Sequence, residues 1–163
     1  MSSAIQVAIM MGSKSDLPTM QEAAKIFEDF GIGYEMKVLS AHRTPRETVS
    51  YAEGLKARGV KVVICGAGGS AALAGVVAAH TLLPVIGIPI ESVLNGMDSL
   101  LSTVQMPPGV PVGAVAIGKA GAKNAALLAL RILALGNVVI SDQLDAFQED
   151  QRQKILAVQD VSL

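Results

Sequence analysis

Residues 5–31 read IQVAIMMGSKSDLPTMQEAAKIFEDFG, and this stretch sets the fold. Residues 5–11 are a largely apolar run stopped by Gly12, the pattern of a strand buried on both faces of a parallel sheet. Asp16 then suits a helix cap, Pro18 the first helical turn, and Gly31 the position after the last. Strand, polar Gly/Ser loop and helix in succession make one βα unit.

The unit recurs along the chain. Strands are expected at YEMKVLS (34–40), VKVVICG (60–66), PVIGIP (84–89) and VGAVAIG (112–118). Helices are expected from Thr44, in AALAGVVAAH (71–80), in GMDSLLSTVQM (96–106) and around 122–135. A polar helix over roughly 138–157 follows. Five such units predict an α/β fold with a five-stranded parallel sheet and helices on both faces. At 163 residues one domain is expected over 1–163, with about 138–163 as a C-terminal helical extension.

Composition excludes several classes of function. Net charge is −1 and only 3% of residues are aromatic, which argues against a nucleic-acid partner needing a basic stripe and stacking rings. Hydrophobic residues reach 51% with a mean hydropathy of +0.48, yet no run attains the ~18 apolar residues of a membrane span. The longest candidate, NAALLALRILALG, carries Arg131 in its middle. With only 17% charged residues, apolar surface is expected to be covered by self-association. The N-terminus lacks a basic segment, so no signal peptide is expected, and the single Cys65 suits a cytoplasmic location.

Ligands of such sheets bind outside the carboxyl ends of the strands. The loops there are GSKSD (12–16), SAHRTP (40–45), GAGGS (66–70), IESVLNG (90–96) and GKAGAKN (118–124). GSKSD opens a helix, so it reads either as a capped polar turn or as an anion cradle. It lacks the G-x-x-x-x-G-K-[ST] spacing of a nucleotide P-loop, and GAGGS lacks G-x-G-x-x-G, so a nicotinamide cofactor is not expected. No metal is expected either, because His42 and His80 lie apart and Cys65 sits in an apolar run. His80 reads as structural. His42 stands at the end of a strand between hydroxyls and a guanidinium, where it reads either as a structural histidine or as a proton carrier. Arg43 beside it favours an anionic ligand such as phosphate.

Taken together, MGSKSD, SAHRTP, GAGG, LNGMDSLLSTVQMPPGVPVG and GKAGAKNAALLA occur in the order and spacing of one family. Over roughly residues 5–136 the chain resembles the aminoimidazole ribonucleotide carboxylase family of purine biosynthesis, in its class I branch of mutases. The resemblance implies a three-layer flavodoxin-like fold, a homo-octamer and no metal or organic cofactor. It implies an isomerase that converts N5-carboxyaminoimidazole ribonucleotide to 4-carboxy-5-aminoimidazole ribonucleotide, moving carboxylate from the exocyclic nitrogen to a ring carbon. It also implies that His42 is the catalytic proton shuttle. Ser13, Ser40 and Arg43 would hold phosphate, Asp16 the ribose hydroxyls, and Ala67, Gly68 and Gly69 the migrating carboxylate. Residues 70–75, SAALAG, depart from the class I pattern, placing Ala72 where that branch has a second histidine and Ala74 where it has proline. Class II members, which carboxylate the ribonucleotide directly with carbon dioxide, also lack that histidine but typically have lysine at the position of Arg43. A class II carboxylase is therefore the alternative, and a non-catalytic nucleotide-binding protein of the same fold the third reading.

Overall fold

A computed structural model describes residues 4–159. The opening apolar run forms β1 (Ile5–Met11), with Val7 to Met11 buried. The other strands are β2 (Gly33–Val38), β3 (Val62–Gly68), β4 (Val85–Ile90) and β5 (Gly113–Ala114). Every neighbouring pair runs parallel, in the order β2-β1-β3-β4-β5. That is the flavodoxin-like order, whose switch point lies between β1 and β3.

Helices α1 (Leu17–Asp29), α2 (Pro45–Gly54), α3 (Leu73–Ala79), α4 (Met97–Val104) and α5 (Gly118–Ala134) connect or follow the strands, and α6 (Val138–Leu156) comes last. Pro45 opens α2 where its missing N–H has no helical partner to lose. α1 packs on β1 and β2 through Met20, Ala23, Ala24 and Phe27, all buried. Gly66 leaves room there for the Met20 side chain, which a Cβ would overlap. Lys123 of α5 pairs with Glu22 of α1 at 3.5 Å. On the other face, Ala8, Met10, Val63 and Cys65 of the sheet meet Ala52, Leu55, Leu73, Ala74 and Val77 of α2, α3 and their flanks. Each such large aliphatic side chain contributes about 1.5–3 kcal/mol on burial. Cys65 is part of this core, and burial pushes its thiol up, away from reactivity.

Several boundaries differ from those expected, three of them near the site or the sheet edge. β3 runs on through Ala67 and Gly68, which pair with Pro89 and Ile90, so half of the Gly-rich loop is strand. β5, expected over 112–118, has only Gly113 and Ala114 in register with Ile86 and Gly87. One further bond, from Val115 N–H to the Gly87 carbonyl (3.2 Å), ends the pairing. The chain then turns through Gly118 (φ +72°), and α5 begins there rather than near 122. Gly121 lets that first turn lie on the Ala116 carbonyl, where any Cβ would collide.

The chain forms two compact units, one ending at Ala129 and one beginning at Leu130. In the second, Asn137 caps α6 by accepting hydrogen bonds from Val139 N–H (3.0 Å) and Ile140 N–H (3.4 Å). Exposed ion pairs Arg152–Glu149 (3.0 Å) and Lys154–Asp150 (2.6 Å) lie along it.

Candidate active site

The carboxyl ends of β1 to β4 surround a cleft of about 480 Å³. Gly12, Ser13, Ser15 and Asp16 line it from the first loop, and Ser40, Ala41, His42 and Arg43 from the second. Ala67, Gly68, Ser70, Ala72 and Leu73 come from the third, and Ile90, Glu91 and Ser92 from the fourth. Its volume lies within the ~300–1,000 Å³ typical of small-molecule sites.

The first loop is held by a reciprocal cap. Ser15 N–H donates to Ser13 Oγ (3.3 Å), and Ser13 N–H donates to Asp16 Oδ2 (3.1 Å). Ser15 Oγ lies 2.9 Å from Ser13 Oγ and donates to Asp16 Oδ1 at 3.3 Å, so the two hydroxyls and the carboxylate form one network at the cleft. Asp16 is buried, and desolvation pushes its carboxyl above the usual range. Hydrogen bonds from Ser13 N–H and Ser15, with the Arg43 charge, pull the other way and do not overcome it.

The second loop is a tight turn closed by Thr44. Thr44 Oγ1 donates to the Ser40 carbonyl (3.1 Å) and accepts from Ser40 N–H (2.9 Å). Ser40 Oγ accepts from Arg43 N–H (3.2 Å) and Nε (3.4 Å), and Arg43 Nη2 donates to the Gly12 carbonyl (2.7 Å). Gly12 N–H in turn donates to the Gly66 carbonyl at 3.2 Å. Arg43 is thus aimed along the first loop with donors to spare, as bidentate anion binding requires. His42 is exposed at the cleft and makes no side-chain hydrogen bond among the described residues. His80 instead closes α3 and lies 3.3 Å from Glu53 through Nδ1, with neither residue lining the cleft.

Of the residues that the sequence marks, Ser13, Asp16, Ser40, His42, Arg43, Ala67 and Gly68 come together here. Gly69 does not line the cleft; its N–H is taken by Ser92 Oγ at 3.3 Å. Ala72 does line it, so the position that the resemblance marks for a second imidazole faces the same space with a methyl group. Glu91, Ser92 and Ser15 are lining residues that the motifs do not mark, although the first two sit in a loop whose place at the end of β4 is itself a signal. No cluster of metal-ligating side chains occurs among the described residues, and no helix there is long and apolar enough to cross a membrane.

The Asp16 environment has a measurable sign. A raised folded value means that stability from this group is present below its ordinary value of 3.8 and is lost as pH rises through the folded value. Asp16→Asn keeps an acceptor for Ser13 N–H and never ionises. The variant should melt a few degrees above the wild type at pH 7, where a domain of this size moves about 2–4 °C per kcal/mol. Scanning calorimetry should show that gap narrowing toward pH 4; a gap independent of pH would remove the desolvated charge as its cause.

Comparison with known proteins agrees with this geometry. The AIR carboxylase family matches residues 6–154, which takes in most of α6 beyond the residues 5–136 that the motifs span. The N5-carboxyaminoimidazole ribonucleotide mutase of Pyrococcus abyssi is 58% identical over 91% of this chain and 84% of its own length. The protein of the same name from Vibrio parahaemolyticus is 53% identical over 94% of this chain and 96% of its own. Among solved structures, Treponema denticola PurE superposes with a TM-score of 0.85 at 35% identity, over 93% of this chain and 94% of that one. On its fold, its loops and these relatives, the chain belongs to the AIR carboxylase family.

Proposed function

We propose that this chain is an N5-carboxyaminoimidazole ribonucleotide mutase and that His42 carries its proton. The supporting observation is one cleft that joins a lone imidazole to an anion-binding end and a wall of backbone. Ser13, Ser40 and Arg43 supply the donors for a phosphate, and buried Asp16 an acceptor for ribose hydroxyls. Ala67 and Gly68 present small residues on the opposite wall, where backbone can approach a carboxylate closely. The relatives named as mutases support the same reading.

The chemistry balances with one titrating group. Protonated His42 gives its proton to the exocyclic nitrogen as the nitrogen–carbon bond of the carbamate breaks. The bonding pair stays on nitrogen, and carbon dioxide is released into the cleft. The electron-rich ring carbon attacks it, forming a centre that bears both hydrogen and carboxylate. His42 removes that hydrogen as a proton, the ring regains aromaticity, and the imidazole ends in its starting state. Nothing is oxidised or reduced, and no cofactor is called for.

A specific observation keeps the class II carboxylase as the second reading: Ala72 lines the cleft where the class I pattern has histidine. The decisive assay supplies the carbamate ribonucleotide in labelled bicarbonate. Unlabelled product at full rate is expected. Labelled product, with preferential use of the uncarboxylated ribonucleotide, would establish the carboxylase instead. Substitution separates the roles: His42→Asn should lose ~10²–10⁴-fold in turnover and keep ribonucleotide affinity. Arg43→Ala should chiefly weaken affinity through lost charge-assisted bonds. Retention of a tenth of the rate in His42→Asn would place the proton carrier elsewhere.

Assembly belongs to the same proposal. Met97, Leu101 and Val104 form an exposed stripe along α4, and Val93 and Leu94 extend it to within one residue of the cleft. In a chain this poor in charge, such a stripe is suited to a second copy, and the octamer implied by resemblance would cover it. Light scattering across a dilution series should give eight subunits with activity that falls on dissociation. A fully active monomer would overturn the assembly.

A further inference from the structure

We infer that Ser92, Asp98 and Ser102 form a clamp on Gly69 that sets the shape of the GAGG loop, with Asp98 as a positioning residue for carboxylate transfer; this deepens the mutase reading and rests on it. Gly69 adopts φ +63°, a conformation that favours glycine, and nothing lies within 4 Å of where its Cβ would be. Packing at that position therefore does not hold the turn. Hydrogen bonds do: Gly69 N–H donates to Ser92 Oγ at 3.3 Å, and Ser102 Oγ reaches the Gly69 carbonyl at 3.4 Å.

Asp98 meets both serines, Ser92 through its carboxylate and Ser102 through its backbone carbonyl. Ser92 Oγ donates to Asp98 Oδ2 at 2.6 Å, a short charge-assisted bond. That same hydrogen bond is the main cause holding the Asp98 carboxyl below its usual range, so it stays an anion. Ser92 has a single proton, and an anionic neighbour claims it. Gly69 N–H can only donate, so the bond to Asp98 acts by turning the Ser92 proton away and the Ser92 lone pairs toward Gly69. Ser102 Oγ also donates to the Asp98 carbonyl at 2.8 Å, so its proton is shared between the two carbonyls.

The clamp has a rigid base. Ser99 Oγ donates to the Ile90 carbonyl at 2.7 Å, and Thr103 Oγ1 donates to the Ser99 carbonyl at 2.7 Å, both buried. The first bond ties the start of α4 to the end of β4, and the second lies within α4. The start of α4 also turns the N–H groups of Ser99 and of Asp98 itself toward the Asp98 carboxyl, which lowers it further. Register with β4 fixes Ala67 and Gly68 on one side, and the clamp fixes the next residue on the other. A loop so held keeps its amides aimed at one point, which retains carbon dioxide between release and recapture.

The experiment reads the loop directly and through chemistry, in the full chain. Asp98→Asn keeps the size of the side chain, but its amide can donate to Ser92 and reverse the polarity. The fraction of turnovers that release carbon dioxide and uncarboxylated ribonucleotide should rise about tenfold, since small misplacements at reacting centres cost up to ~10²-fold. Affinity for that ribonucleotide should change less than about threefold, because the phosphate end is held by other loops. Amide hydrogen exchange at Gly69 should speed up by about tenfold or more. Ser92→Ala should act alike and Ser92→Thr should restore both readouts, and this pair decides the matter if Asp98→Asn does not fold. A folded Asp98→Asn with wild-type partitioning and wild-type exchange at Gly69 would overturn the clamp. A wild type that never transfers carboxylate would overturn the mutase reading instead, while exchange at Gly69 would still decide the clamp.

Discussion

The backbone of Gly12 accepts the Arg43 guanidinium on its carbonyl and donates its N–H to the Gly66 carbonyl. The loops after β1 and β2 and the strand β3 therefore meet at one residue at the β1/β3 switch point. The rest of the cleft follows from that junction. The 12–16 loop can fold back as a reciprocal cap because its entry is fixed, and Arg43 faces the cleft because its other contacts hold it there. A parallel sheet brings all its carboxyl ends to one edge, so residues far apart in the chain need only short loops to meet.

Two carboxylates near this edge are pushed in opposite directions by their surroundings. Asp16 is buried, and its carboxyl rises. Asp98 receives a short bond from Ser92, and its carboxyl falls. The first behaves as a reluctant anion beside the ligand end, and the second as a fixed anion behind the wall. The cleft holds a single imidazole, His42, with Ala72 offering no second one. An economy of titrating groups suits a reaction in which the proton given is also the proton recovered.

Much of this architecture is legible in the amino-acid sequence. Apolar runs ending at glycine or proline mark β1, β3 and β4, since a strand covered on both faces leaves little polar alternation to confuse the reading. Loops at their carboxyl ends, with the loop after β2, name seven of the residues that meet in the cleft. The edge strand is harder. The run at 112–118 has strand composition throughout, yet only two residues pair, because Gly118 turns the chain and Gly121 seats α5 on Ala116. Gly69 reads from its motif as a wall of the site, and its N–H donates to Ser92 Oγ. That contact joins residues 69, 92 and 98 across separate segments, and no local spacing encodes it.

The brevity of β5 bears on how copies of this chain can meet. A long, flat edge strand is a template that recruits further strands without limit. Here one border of the sheet offers only two residues, and the other, β2, carries exposed Lys37 at its end. Cross-β growth is thus discouraged at both borders, while the apolar stripe lies on a helix, whose backbone is already satisfied internally. Contacts made through helices can close into a finite ring, whereas contacts made along strand edges propagate into fibres.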